Sequence, residues 1–134
     1  MPPDFELAKL YNMCDLQVTY STAESFPLPP LEAMACGAAV ITTPYGTEDY
    51  ASDLHNALLV NPYKRGELYN ALVTLINDND LRHKLIENGL KTASNFNYSK
   101  QADILEKELR RAIDQNTERN RAISNRFSHF GIPI

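Results

Sequence analysis

Long apolar runs are missing from this 134-residue sequence: none approaches the roughly 18 to 20 residues that a bilayer-spanning helix requires. Met1-Pro2-Pro3-Asp4 also lacks the basic and apolar regions of a signal peptide, so a cytoplasmic location is the expectation. Positive charge is not in excess either. With 13 Lys and Arg against 17 Asp and Glu, a formal charge of -4 and a pI of about 5.3, the chain offers no basic field to a nucleic-acid backbone. Nucleic acid is therefore not expected as a partner, and any polyanion has to be recognised locally. Cysteine is scarce. Cys14 and Cys36 fall on separate predicted helices without metal-ligand spacing and read as reduced, packed, non-catalytic thiols. His55, His83 and His129 are equally scattered, so no metal site is expected. No internal repeat is visible.

What is present is a globular composition, 43% hydrophobic and 22% charged, enough for one domain or part of a larger one. Short apolar runs alternate with helical stripes, the pattern of parallel strands joined by crossover helices, and the fold class is α/β. Asp4 can cap a first helix with apolar positions at Leu7, Leu10, Tyr11 and Cys14, followed by a strand over Leu16 to Tyr20. A loop from Glu24 leads into a short helix from about Pro30 to Cys36, stopped by Gly37. Ala39-Val40-Ile41-Thr42 reads as a buried parallel strand, Pro44 to Gly46 as a turn, Thr47-Glu48-Asp49 as the start of a short helix, and Ala57-Leu58-Leu59-Val60 as a third strand. Beyond Gly66 the pattern is helical. Leu68, Leu72, Leu75 and Ile76 form one stripe, Leu81, Leu85, Ile86 and Ala93 another, and a final helix from Tyr98 is expected to bury Tyr98, Ala102, Leu105, Leu109 and Ala112. A domain over 1–114 and a tail over 115–134, which extends the last helix or leaves it, are the expected divisions. The tail mixes Arg119, Arg121 and Arg126 with Glu118 and ends on Phe127, Phe130, Ile132 and Ile134.

The candidate site lies between the first two strands. Glu24 and Glu32 are eight positions apart across a loop that leaves the carboxyl end of a strand, where ligands of open parallel sheets bind. Carboxylates only accept hydrogen bonds and suit neighbouring hydroxyls of a sugar or ribose, while free N–H groups at a helix start attract phosphate. The bland alternative is also available: Glu32 in a first helical turn complements the dipole, and an exposed loop carboxylate needs no explanation.

The words around the pair decide the weighing. Glu24, Phe26, Leu28, Pro29, Leu31, Glu32, Ala33, Met34, Ala35, Cys36 and Gly37 match a two-glutamate motif with seven intervening residues. On this run the sequence resembles the carboxyl-terminal, donor-binding domain of the retaining GT-B glycosyltransferases, the group of glycogen synthases, sucrose synthases and bacterial polysaccharide enzymes. The flanks Glu6 to Tyr11, Ala38 to Thr43, Asn56 to Val60 and Leu81 to Leu85 extend the likeness over about Phe5 to Leu109.

The resemblance implies a Rossmann-like, three-layer parallel sheet, here partial, with a helical carboxyl-terminal region. It also implies a nucleotide sugar as donor substrate, with no cofactor and no metal. Glu24 would bond hydroxyls of the transferred, hexosyl-type sugar as the catalytic and donor-binding residue, and Glu32 the ribose hydroxyls. The Ser25, Phe26, Pro27 and Leu28 segment would meet the diphosphate and sugar. A glycan or lipid-linked acceptor would be held by an amino-terminal domain that this sequence does not contain, so the chain by itself is expected to be nearly inactive. Peripheral membrane association of the full enzyme and self-association through an unpaired sheet edge are further expectations.

Two features depart from the family pattern. Ser25 and Pro27 replace the usual glycines beside the aromatic, and Pro27 supplies no N–H. Amides are expected to remain at Ser25, Phe26, Leu28, Leu31 and Glu32. The family's Arg and Lys for the diphosphate are also absent, with Lys64-Arg65 the one candidate to stand in and a solvated loop the stronger reading. A non-catalytic nucleotide or sugar-nucleotide binding module is the alternative function, and a purely structural domain the third.

Overall fold

The computed structural model describes residues 4–128. The expectations for His129, Phe130, Ile132 and Ile134 lie outside them. Two compact units divide between Asn95 and Phe96.

In the first unit, α1 (Asp4–Asn12) precedes β1 (Leu16–Val18), α2 (Leu28–Ala35), β2 (Ala39–Thr42), β3 (Leu58–Leu59), α3 (Glu67–Asn77) and α4 (Asn79–Ala93). The strands form a parallel sheet in the order β1-β2-β3, with Gln17 opposite Val40 and Ile41 opposite Leu58. All four residues of β2 are buried, as both faces of a central parallel strand must be when helices cover them. Ala39 and Ile41 project to the face where Ala71 and Leu75 of α3 and Leu85 of α4 close the core. This is the expected α/β, Rossmann-like architecture.

Local chemistry sets the boundaries. Gly37 takes φ +80°, and its amide and that of Ala38 donate to the carbonyls of Met34 and Ala33, the paired closure that ends a helix on a left-handed residue. Gly89 brings α4 close to α2, where an added Cβ would meet Met34 Cγ at 3.1 Å. Asp78 caps α4, its Oδ1 accepting from the Leu81 amide at 2.9 Å.

Several expectations are corrected. Strand β1 stops at Val18 and β3 shortens to Leu58–Leu59, although Ala57 still bridges to Asp53 in parallel. No helix forms at Thr47: residues 45–50 make consecutive turns, with the Thr47 hydroxyl turned back onto the Thr43 carbonyl at 2.8 Å, a local bond that competes with helix propagation. Cys14 is not a packed thiol. It lies past the end of α1, exposed, its Sγ donating to the Leu10 carbonyl. Leu10 is 55% exposed and Ile76 60%, while Ala71 takes the buried place on α3.

The second unit contains α5 (Tyr98–Ser128), which runs through the polar stretch at Gln115 to Thr117. Its stripe was expected to be buried, yet Ala102, Leu105, Leu109 and Ala112 are exposed. Within its own unit α5 has no second element among the described residues against which to bury an apolar face. Arg110 and Glu106 pair across one turn at 2.7 Å, a solvated contact.

Leu85 is 1% exposed at the meeting point of β2, α3 and α4. Replacing it by alanine is expected to lower unfolding free energy by about 2–5 kcal/mol, measured by urea denaturation followed by far-UV circular dichroism.

Candidate functional site

The loop between β1 and α2 leaves the carboxyl end of the sheet and carries Glu24, Ser25, Phe26 and Pro27, with Leu28 opening α2. Glu24 is exposed, and its Oε1 accepts from the Ser21 hydroxyl at 3.0 Å. A carboxylate has about four acceptor positions, so most of its capacity still faces solvent. Phe26 lies edge-on to Tyr50, centroids 5.3 Å apart.

The start of α2 is poor in donors. Pro27 is the residue flanking the helix, at φ -69° and ψ 123°, and Pro29 and Pro30 follow Leu28. A helix normally leaves four amides unpaired at its start. Here three of those four positions are proline and only Leu28 carries an N–H. The helix begins earlier than the sequence suggests, at Leu28 and not near Pro30. The amides expected to be free at Leu31 and Glu32 therefore enter its i→i−4 ladder. Glu32 accordingly sits in the second turn, where the dipole argument for it lapses.

Glu32 has a different partner. Its Oε2 accepts from the Tyr11 hydroxyl of α1 at 3.2 Å, and the two side chains, with Leu7, Ala8, Ala35 and Cys36, line a cavity of about 190 Å³ between α1 and α2. Burial raises the Tyr11 phenol from 10.0 to about 12, reinforced by the Glu32 charge and hydrogen bond, and burial followed by Glu32 also raises the Cys36 thiol. Glu24 does not line this cavity. Ser25, Phe26, Pro27 and Leu28 thus stay with Glu24 on one loop, while Glu32 is drawn toward α1.

Residues that the sequence reading passed over hold the loop. The Thr43 hydroxyl donates to the Ser21 carbonyl at 2.7 Å, and the Tyr50 hydroxyl to the Pro27 carbonyl at 2.6 Å. Gly46, at φ +73°, stands so close that a Cβ there would lie 2.7 Å from the Glu24 carbonyl oxygen. The Gly46 turn was a visible signal, but the partners of Thr43 and Tyr50 depend on tertiary approach. Lys64 pairs with Glu67 at 3.2 Å, and Glu67 Oε2 also accepts from the Asn61 amide at 2.6 Å. That amide first, and Lys64 second, hold the Glu67 carboxyl below its ordinary range. Among the described residues no group of three or more His, Cys, Asp or Glu comes together as a metal set, and no helix is long and apolar enough to cross a membrane.

The family description "Glycosyl transferases group 1" matches residues 1–92. The chain belongs to this family. As a group 1 glycosyltransferase chain it is 36% identical over 101 residues to a D-inositol 3-phosphate glycosyltransferase of Stackebrandtia nassauensis, covering 75% of this chain and 23% of that one. It is 28% identical over 115 residues to the serotype-specific mannosyltransferase WbdA of Escherichia coli, covering 86% of this chain and 14% of the other. The chain therefore spans about a quarter or less of the length of these relatives. Among solved structures, sucrose-phosphate synthase of Thermosynechococcus elongatus aligns with TM-score 0.71 and 30% identity, over 80% of this chain and 28% of that one. Anabaena HepE in complex with UDP aligns with TM-score 0.71 and 28% identity, over 75% and 29%. The parallel sheet and its helices match the carboxyl-terminal domains of GT-B glycosyltransferases, including that of a group 1 family protein from Francisella tularensis at TM-score 0.65, 34% identity, and 71% and 49% coverage.

The raised Tyr11 phenol has a pH consequence. Because its pKa is higher folded than unfolded, its contribution to stability is complete below pH 10.0 and is lost as pH climbs toward about 12. Tyr11→Phe is expected to lower stability by about 1 kcal/mol near neutrality, with the gap to wild type narrowing across that alkaline window in denaturation series.

Proposed function

We propose that the chain is the donor-binding part of a nucleotide-sugar-dependent, retaining glycosyltransferase of the Glu-x7-Glu subgroup, transferring a hexosyl-type sugar to a glycan or other acceptor. The observation that carries this reading is Glu24: an exposed carboxylate with spare acceptor capacity, on a loop at the carboxyl edge of a parallel sheet. Likeness to a HepE structure holding UDP, and to another holding UDP-glucose, supports a nucleotide sugar as the ligand. Glu24 bonds hydroxyls of the transferred sugar, while Ser25, Phe26, Pro27 and Leu28 lie along the diphosphate, with the Leu28 amide and the Ser25 hydroxyl as donors. Glu32 takes the ribose hydroxyls, with Tyr11 sharing its carboxylate. The nucleotide sugar is a substrate, and the reading includes no cofactor. Preorganised donors stabilise the departing diphosphate because they are fixed before charge develops.

The serotype-specific mannosyltransferase among the relatives supports a glycan acceptor, presented by a second domain in the cytoplasm, and a lipid-linked acceptor would bring the full enzyme to a membrane surface. The edge position of β1 supports self-association. A second reading, a nucleotide or sugar-nucleotide binding module without catalysis, is favoured by the prolines at 27, 29 and 30, which leave the helix start short of amides.

Calorimetric titration of the full chain with UDP, GDP, ADP and their glucosyl or mannosyl derivatives tests both readings. A preferred nucleotide is expected, with Glu32→Ala weakening it about 10- to 100-fold, the loss of charge-assisted hydrogen bonds. Unchanged affinity in Glu32→Ala refutes the ribose role. Glu24→Gln is expected to erase the preference for the sugar nucleotide over the bare diphosphate, and a chain that never shows this preference fits the non-catalytic module.

A further inference from the structure

We infer that Thr43, Gly46 and Tyr50 form a clamp that positions Glu24, a role that rests on the donor-site reading above for its functional meaning and on geometry for its existence. The contacts are spaced around Glu24. Thr43 takes the carbonyl of Ser21, three residues before it, and Tyr50 the carbonyl of Pro27, three residues after it. Between them Gly46 supports the Glu24–Ser25 peptide itself, where a Cβ would stand 2.7 Å from the Glu24 oxygen, 2.8 Å from its carbonyl carbon and 3.0 Å from the Ser25 carbonyl carbon. All three obstructing atoms are backbone, so no rotamer change relieves them. Only a residue without a side chain lets the two segments meet this closely.

The clamp is itself anchored. Thr43 is 1% exposed, directly after the buried strand β2, and its carbonyl accepts from the Thr47 hydroxyl. Tyr50 is 5% exposed, and its carbonyl accepts from Nδ2 of Asn56, which is 3% exposed and also bonds Thr92 Oγ1 on α4 at 2.8 Å. The Tyr50 ring meets the edge of Phe26, so hydroxyl and ring act on neighbouring residues of the same loop. The Tyr50 hydroxyl and the Pro27 carbonyl it meets are both buried, so this bond is shielded from competition with water.

The need for such a device follows from the loop's composition. Pro27, Pro29 and Pro30 contribute no N–H to tie the end of the loop to its surroundings, and the hydroxyls of Thr43 and Tyr50 supply donors that these residues lack. Thr43, Gly46 and Tyr50 are positioning residues: they touch the backbone that carries Glu24, and Glu24 touches the donor.

Tyr50→Phe keeps the ring and removes only the hydroxyl, Thr43→Val removes the other, Thr43→Ser restores it, and Gly46→Ala crowds the Glu24 peptide. Backbone amide order parameters from nitrogen relaxation NMR on the full chain are the primary measurement, with titration of UDP-glucose and GDP-mannose beside them. In Tyr50→Phe and Thr43→Val the order parameters of the Ser25, Phe26 and Leu28 amides are expected to fall from about 0.85 toward about 0.6 while those of Val40 and Ile41 stay unchanged. Affinity for the bound sugar nucleotide should fall about 5- to 20-fold, and Thr43→Ser should recover both signals. Unchanged loop order parameters in both Tyr50→Phe and Gly46→Ala overturn the clamp, as does a loss of order spread equally over β2. If the wild type binds no nucleotide, the donor-site reading fails, and the order parameters still decide the clamp.

Discussion

Strand β2 is the constraint from which the site is built. It pairs in parallel with β1 on one side and β3 on the other, and all four of its residues are buried, so neither its register nor its height can shift without unmaking the core. A slip of one residue would exchange Ile41 for Val40 on the face that Leu75 and Leu85 close. The fixed strand delivers Thr43 to the carboxyl edge, and from Thr43 the order spreads outward, to Ser21 across the sheet and to Thr47 in the next turn. The loop bearing Glu24 is thus located by a hydrogen bond from the most buried strand of the molecule.

The two glutamates are treated differently by their surroundings, and this has chemical content. Glu24 meets one serine hydroxyl and solvent, whereas Glu32 meets a phenol whose proton is held up to about pH 12 by burial and by the carboxylate itself. A phenol kept protonated is a dependable donor at any ordinary pH, so one Glu32 oxygen is engaged and the other remains for a ligand. In the proposed reading, recognition of ribose is therefore shared between α1 and α2, and movement between those helices alters nucleotide affinity without touching the sugar end.

Much of this was legible beforehand because it depends on short-range chemistry. Ala39 to Thr42 reads as a buried parallel strand from its short, β-branched apolar run, Gly37 as a helix stop, and the Glu24 to Gly37 run carries the family likeness. Boundaries governed by side-chain hydrogen bonds were not legible. Thr47 looked like a helix start, but its hydroxyl prefers the Thr43 carbonyl, and the segment turns. The Pro-Pro pair reads as a helix start, yet the helix begins at Leu28, since proline fits a first turn whose amides are unpaired anyway. Tyr50 and Tyr11 had no sequence signal, because a tyrosine in a helix or turn is ordinary until a carbonyl or carboxylate from another element arrives at its hydroxyl. The stripe on α5 misled for the converse reason: periodicity reports that a helix has an apolar face and not that anything covers it.

Charge sets the final condition on the donor-site reading. The carboxyl edge carries Glu24 on one loop and Glu48 on the next, and both act on the Tyr50 phenol, raising it further after burial has done so. Carboxylates suit hydroxyls and repel a diphosphate. Of the basic residues in the loop after β3, Lys64 is already partnered by Glu67, whose other oxygen accepts from the Asn61 amide, so a Lys64 that turned to a ligand would give up this solvated ion pair. With α2 reduced to the Leu28 amide in its first turn, the Glu24 loop and the start of α2 are equipped to read hydroxyls better than to neutralise phosphate. In the proposed reading this domain therefore holds sugar and ribose through Glu24 and Glu32 and meets the diphosphate only with the Leu28 amide and the Ser25 hydroxyl, so affinity for a bare diphosphate should depend on cationic groups contributed from outside the Glu24 loop.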